Sequence, residues 1–168
     1  DSLNNANGTS TVNFSVDTLF PQISYSTGTA VDGANLSQTF VYINVSLVEA
    51  NLMNITYTLF NNTGLVNQTT FFSAITQITF LGLPQGNYTY NVSAVDILNR
   101  QNTTARNLVL LDTAAPNGTL ISPENGTITN ITLQNMTVNA TDNFALRNAT
   151  LFIYNSSNSL VNQTTRII

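Results

Sequence analysis

Residues 83–96 read LPQGNYTYNVSAVD. The opening LPQGN is a cluster of turn formers. The eight residues after it, YTYNVSAV (88–95), alternate bulky and small polar side chains with the period of two that a half-buried strand requires. Outward from this stretch the same alternation recurs in TFVYINVSL (39–47), where Phe40, Tyr42, Asn44 and Ser46 oppose Val41, Ile43 and Val45. It recurs again in NITYTLF (54–60), TQITFLGL (76–83) and NLVLL (107–111), with STGTAVDGAN, NNTG and DILNRQN as turns between runs. No window has the spacing and caps of an amphipathic helix. About seven short strands in 95 residues and no helix predict an all-β chain of antiparallel two-sheet sandwiches.

The chain also repeats itself. Shifted by 95 places, DSLNNANGTSTVNFSVD (1–17) aligns without a gap on DILNRQNTTARNLVLLD (96–112), DTLFP on DTAAP, and INVS on VNAT. A one-residue deletion after Ser46 and an insertion near Asn158 restore register at LVNQTT, identical at 65–70 and 160–165. The unit is about 95 residues long, the size of one small sandwich. Its phase divides the chain into 1–16, the last strand of a preceding repeat; 17–111, a complete domain; and 112–168, the first part of a following domain. The expectation is an excerpt of a longer tandem array, with strand donation between neighbouring subunits as the rival. The chain begins with Asp and shows no charged-then-apolar leader, so a secretion signal is expected to be removed or to lie outside this segment.

The stretch LPQGNYTYNVSAVD resembles the Leu-x-Pro-x-x-Tyr approach to the penultimate strand of fibronectin type III and related immunoglobulin-like domains. The resemblance makes Tyr88 the tyrosine-corner residue, with Tyr90, Val92 and Ala94 facing the core beside it. DTAAPNGTLISPENGT and VNATDNFALRNATLFIYN resemble the linker, first strand and following region of tandem immunoglobulin-like repeats in archaeal and bacterial surface proteins. What the resemblance implies is an extracellular array, with no particular ligand.

The glycosylation acceptor Asn-x-Ser/Thr, x not Pro, begins at Asn7, Asn13, Asn35, Asn44, Asn54, Asn61, Asn67, Asn87, Asn91, Asn102, Asn117, Asn125, Asn130, Asn135, Asn139, Asn148, Asn155 and Asn162: eighteen of the twenty-six Asn. Strand alternation alone places polar residues two apart, but it has no direction along the chain. The reversed order, Ser/Thr-x-Asn, occurs six times, ending at Asn4, Asn13, Asn91, Asn139, Asn143 and Asn158. Composition alone gives about six in either direction. The excess is therefore directional, and covalent N-glycans are expected. Six acceptors recur at matched places in the two units: Asn7 with Asn102, Asn35 with Asn130, Asn44 with Asn139, Asn54 with Asn148, Asn61 with Asn155, and Asn67 with Asn162.

Composition excludes much else. Charged residues are 7% of the chain, eight acids and four Arg with no Lys, against about 25% in an average domain. No basic footprint for nucleic acid exists, and no apolar run approaches the roughly eighteen residues of a membrane helix. Without His or Cys there is no Ser-His-Asp or Cys-His catalytic arrangement and no ordinary zinc or iron-sulfur site; without Lys there is no Schiff base and no Lys-to-Asn isopeptide bond. A paired-carboxylate hydrolase would have to use Glu49, Asp96 or Asp142, each alone in its loop. No cofactor and no catalytic residue are expected.

Asp17, Asp96 and Asp112 are weak calcium candidates: Asp17 and Asp112 occupy the same place in SVDTLFP and LLDTAAP, and Asp96 closes the penultimate strand. Against this, Asp17 and Asp112 suit Asx turns ahead of a Pro-containing linker, and Asp142 with Asn143 suits a turn. Tyr25, Tyr42, Tyr57, Tyr88, Tyr90 and Tyr154 could stack sugars, but alternating strands ordinarily spend tyrosines on sheet packing. The expected function is structural: a heavily N-glycosylated extracellular array forming a filament, stalk or surface layer from copies of itself. The alternative is an adhesin segment whose loops bind a carbohydrate or protein on another cell.

Overall fold

A computed structural model describes Ser2 and residues 8–168 of the 168-residue chain. The described residues form thirteen strands and no helix. A three-stranded sheet runs in the order β1 (Gln22–Tyr25), β3 (Val41–Val48), β6 (Gln77–Phe80). A six-stranded sheet runs in the order β2 (Ala34–Leu36), β9 (Asn107–Leu111), β7 (Gly86–Asp96), β4 (Leu52–Asn61), β5 (Gly64–Phe71), with β8 (Gln101–Thr103) also paired to β7. The pairs β1–β3, β4–β5 and β7–β8 are antiparallel, whereas β2 joins β9 in parallel, Ala34 opposite Val109 and Leu36 opposite Leu111. Two further two-stranded antiparallel sheets follow, β10 (Asn117–Ser122) with β11 (Thr137–Thr141) and β12 (Asn148–Tyr154) with β13 (Leu160–Ile167).

Contacts gather in two units. The first takes residues up to Ala30 with Tyr42–Thr79 and Thr89–Asn107; the second takes Val31–Val41, Phe80–Tyr88 and Leu108–Ile168. Alternation builds the core of the first unit. Ile43 and Val45 of β3, Ile55, Tyr57 and Leu59 of β4, and Tyr90, Val92 and Ala94 of β7 are all buried. Tyr25 of β1 meets Tyr90 of β7 edge to face, ring centroids 5.6 Å apart, so the two sheets face one another there as in a sandwich. The second unit buries Val41, Phe80, Leu83, Tyr88, Val109 and Leu111.

Tyr88, Tyr90, Val92 and Ala94 all point inward, and the Tyr88 hydroxyl donates to the Pro84 carbonyl oxygen at 2.9 Å. That bond back to the chain four residues upstream is the tyrosine corner. A different outcome meets residues 117–167. There the same alternation leaves Leu120, Val138, Phe152, Tyr154 and Val161 exposed, because a two-stranded sheet has too little surface to cover its own apolar face.

The two copies of the hairpin turn show how one insertion is absorbed. In the first, Asn61 Oδ1 accepts the amides of Thr63 and Gly64 at 2.9 and 3.1 Å, and Gly64 takes φ +132°. In the second, Asn155 Oδ1 accepts the amides of Ser157 and Ser159 at 3.0 and 2.9 Å. The left-handed position there falls to Asn158, φ +56°, a conformation Asn tolerates better than other side chains.

Candidate functional site

The acceptor asparagines are distributed over the whole structure. Asn7 lies outside the described residues. Of the other seventeen, fourteen are exposed: Asn13, Asn35, Asn61, Asn67, Asn87, Asn102, Asn117, Asn125, Asn130, Asn135, Asn139, Asn148, Asn155 and Asn162. Asn44, Asn54 and Asn91 are half-buried. Asn107, the buried Asn among the described residues, starts no acceptor triplet. Its Nδ2 donates to the Ala30 carbonyl oxygen at 3.1 Å, an interior duty that a sugar would abolish.

Strand geometry explains the pattern. In β4, Asn54 lies on the face opposite Ile55, Tyr57 and Leu59, whose side chains are wholly buried. In β7, Asn87 and Asn91 alternate with Tyr88, Tyr90 and Val92 in the same way. Two acceptors have their reactive Nδ2 engaged: Asn44 donates to the Thr27 carbonyl oxygen and Asn102 to the Pro21 carbonyl oxygen, each at 3.0 Å. At Asn61 the Thr63 hydroxyl donates to Oδ1 at 2.7 Å, so the third residue of the triplet is already in contact with the amide group to be modified.

The acids behave differently from the acceptors. Asp17 and Asp96 are brought together at Arg100: Nη2 sits 2.8 Å from Asp17 Oδ1 and Nε 2.7 Å from Asp96 Oδ2. Asn51 Nδ2 donates to Asp17 Oδ2 at 3.1 Å, and the Arg100 guanidinium lies 5.7 Å from the Phe20 ring centroid. Asp96, fully buried, also accepts the amides of Leu98 and Arg100 at 2.8 and 2.9 Å. The Arg100 side chain, with help from the Leu19 amide and Asn51, holds the Asp17 carboxyl below the usual carboxylate range. Burial works against ionisation of Asp96, but the hydrogen bonds from Arg100 and Leu98 outweigh it and leave its pKa lowered.

Asp112 belongs to the second unit, where its Oδ1 accepts the Ala114 amide at 3.0 Å in an Asx turn. Asp17 makes the same turn to the Leu19 amide at 3.1 Å, and Asp142 Oδ2 accepts the amides of Phe144 and Ala145 at 3.1 and 3.2 Å. Among the described residues no three His, Cys, Asp or Glu side chains gather as metal ligands. Sequence reading had not singled out Arg100. Its signal was the Asp-x-x-x-Arg spacing of DILNR (96–100), in which a turn brings the guanidinium back over the carboxylate.

Three tyrosines donate to internal partners, Tyr42 to Gln77 Oε1, Tyr57 to the Ile75 carbonyl oxygen and Tyr90 to the Ala30 carbonyl oxygen, at 2.8, 2.8 and 3.1 Å, whereas Tyr154 is exposed. No protein-family model matches this chain, and no curated protein matches it. Among solved structures, the fibronectin(III)-like modules of Clostridium thermocellum CbhA align at a TM-score of 0.42 and 16% identity, over 56% of this chain and 99% of that one.

Proposed function

We propose that the chain is a non-enzymatic structural module of an extracellular, N-glycosylated array, with immunoglobulin-like sandwiches as its repeating body and sugars as its coat. The observation that carries this reading is the placement of the triplets. Eighteen forward triplets stand against six reversed ones, and none of the seventeen in the described residues has a buried Asn. Alternation alone would explain outward-facing Asn but not the direction in which Ser or Thr follows.

The physical need for such a coat comes from the surface. Four Arg and eight acids over 168 residues provide few of the charges that ordinarily keep β-rich proteins apart, and bulky solvated glycans would serve instead. The clamp of Asp17, Asn51, Asp96 and Arg100 supports the mechanical side of the reading, since it ties the segment at Asp17–Phe20 to the turn after β7.

Glycopeptide mass spectrometry of the native protein tests the reading. Sugar increments are expected at the exposed acceptors, with lower occupancy at Asn44, which is half-buried and hydrogen-bonded through Nδ2, and none at Asn107. Bare Asn at Asn54, Asn67, Asn148 and Asn162 would remove the case for a coat.

A further inference from the structure

Among the described residues, three strands of the larger sheet pair on one side only, β2, β5 and β8. Each carries one exposed acceptor, Asn35, Asn67 and Asn102 respectively. β2 and β8 are three residues long, too short to template a partner, whereas β5 runs for eight. A long strand with one side unpaired invites pairing with another chain unless charge, Pro, a bulge or a cover prevents it. β5 has neither charge nor Pro; the whole span from Ala50 to Val95 contains no Asp, Glu, Lys or Arg. Its bulge lies near the turn, at the Leu59/Phe60 step of the β4–β5 ladder, and leaves Gln68–Phe71 in regular register.

The same hexapeptide, LVNQTT, opens β13, which among the described residues pairs only with β12. Thr56 and Thr70 share a hydroxyl contact of 2.9 Å across β4–β5, and Thr150 and Thr165 one of 3.0 Å across β12–β13, so the two edges are built alike. Each edge has leucine and valine exposed at its start, Leu65 and Val66 in β5 and Leu160 and Val161 in β13. Over the shared LVNQTT both edges are uncharged, and β13 carries a single charge, Arg166, near its far end, so two such edges from different copies would meet along the hexapeptide with little electrostatic penalty.

We infer that sugar on Asn67 and Asn162 is the device that closes these edges, and that the partner excluded is a second copy of this chain pairing through β5 or β13. This rests on the glycosylation reading and deepens it. Side chains on adjacent strands stand about 5 Å apart. A glycan at Asn67, three residues into the strand, therefore stands in the volume that side chains of an added strand would fill. Among the described residues no other recurrent acceptor lies on β5 or β13, so their loss would leave both edges as closed as before.

The test uses the full chain. Native protein is first mapped for sugar at Asn67 and Asn162; if both are bare there, the glycosylation reading fails at these positions and the inference falls with it. The chain is then produced without glycosylation and passed through size exclusion with light scattering. The expected result is self-association of the bare chain. It should be lost in the double variant Asn67→Lys, Asn162→Lys and kept in Asn13→Lys, Asn117→Lys, which adds the same charge outside β5 and β13. Each variant is checked for an unchanged far-ultraviolet spectrum and thermal transition. A bare chain that stays monomeric, or association suppressed equally by both double variants, would overturn the inference while leaving glycosylation itself intact.

Discussion

At the residue scale the structure turns on a few polar atoms placed among apolar neighbours. Asp96 is fully buried and keeps its charge because Arg100 and two backbone amides surround it. Replacing Arg100 by Gln removes the cation from two carboxylates at once. The variant is expected to unfold at lower urea concentration than the parent at pH 7, with the difference narrowing toward pH 3 as the acids protonate. Urea titrations at the two pH values check this. Tyr88 offers a smaller and cleaner change, since Tyr88→Phe deletes only the hydroxyl that donates to Pro84. A loss of about 1 kcal/mol is expected, the ordinary net value of one such bond. The tyrosine corner was legible in LPQGNY through its resemblance to the approach to the penultimate strand of fibronectin type III and related domains. The Arg100 clamp was not, since it joins Asp17 to residues some eighty places away and nothing in local pattern reports such a meeting.

At the scale of elements, β4 and its repeat β12 run a natural experiment. Leu59 in β4 is wholly buried, whereas its counterpart Ile153 in β12 is half-buried. Leu59→Ala is expected to cost about 2–5 kcal/mol, the usual cost of a core truncation that leaves a cavity. Ile153→Ala, whose side chain already meets solvent, should cost well under half as much. Thermal unfolding of the two variants decides it, and equal losses would contradict the burial difference. Alternation in NITYTLF predicted which side chains of β4 point inward, because that strand has neighbours on both sides. It could not predict the pairing of Leu59 with Asn67 across β4–β5, which puts an acceptor on the core-facing side of an edge strand. Pairing register is set between strands, and the sequence of either strand alone does not state it. For the same reason the exposed apolar faces of β10–β13 were not foreseen: the period of two marks a face but not what lies over it.

At the scale of the molecule, scarcity of charge has a consequence for pH. The chain has no His, Cys or Lys, so no side chain titrates in its ordinary range between the carboxylates, near 4, and the phenols, near 10. The groups whose folded-state pKa is moved lie outside that window and move further from it. Asp17 and Asp96 are lowered, so the stability they add is fully present above about 4, the ordinary carboxylate value, and is lost as pH falls through their folded values. Tyr57 and Tyr88 are raised by burial, so the neutral phenol is favoured in the fold. The stability that follows is full below about 10 and is lost as pH climbs beyond it. Linkage then requires a plateau, because stability changes with pH only where folded and unfolded chains bind different numbers of protons. Urea midpoints measured at pH 5, 7 and 9 should coincide, with declines confined to strongly acid and strongly alkaline solution. A midpoint that drifted between pH 5 and 9 would mean that a carboxylate or phenol had been displaced far into neutral range. Burial pushes Asp96 and Asp17 upward, but their hydrogen bonds and Arg100 outweigh it, and Tyr57 and Tyr88 move upward away from neutral range, so the plateau is a test of the polar packing as a whole.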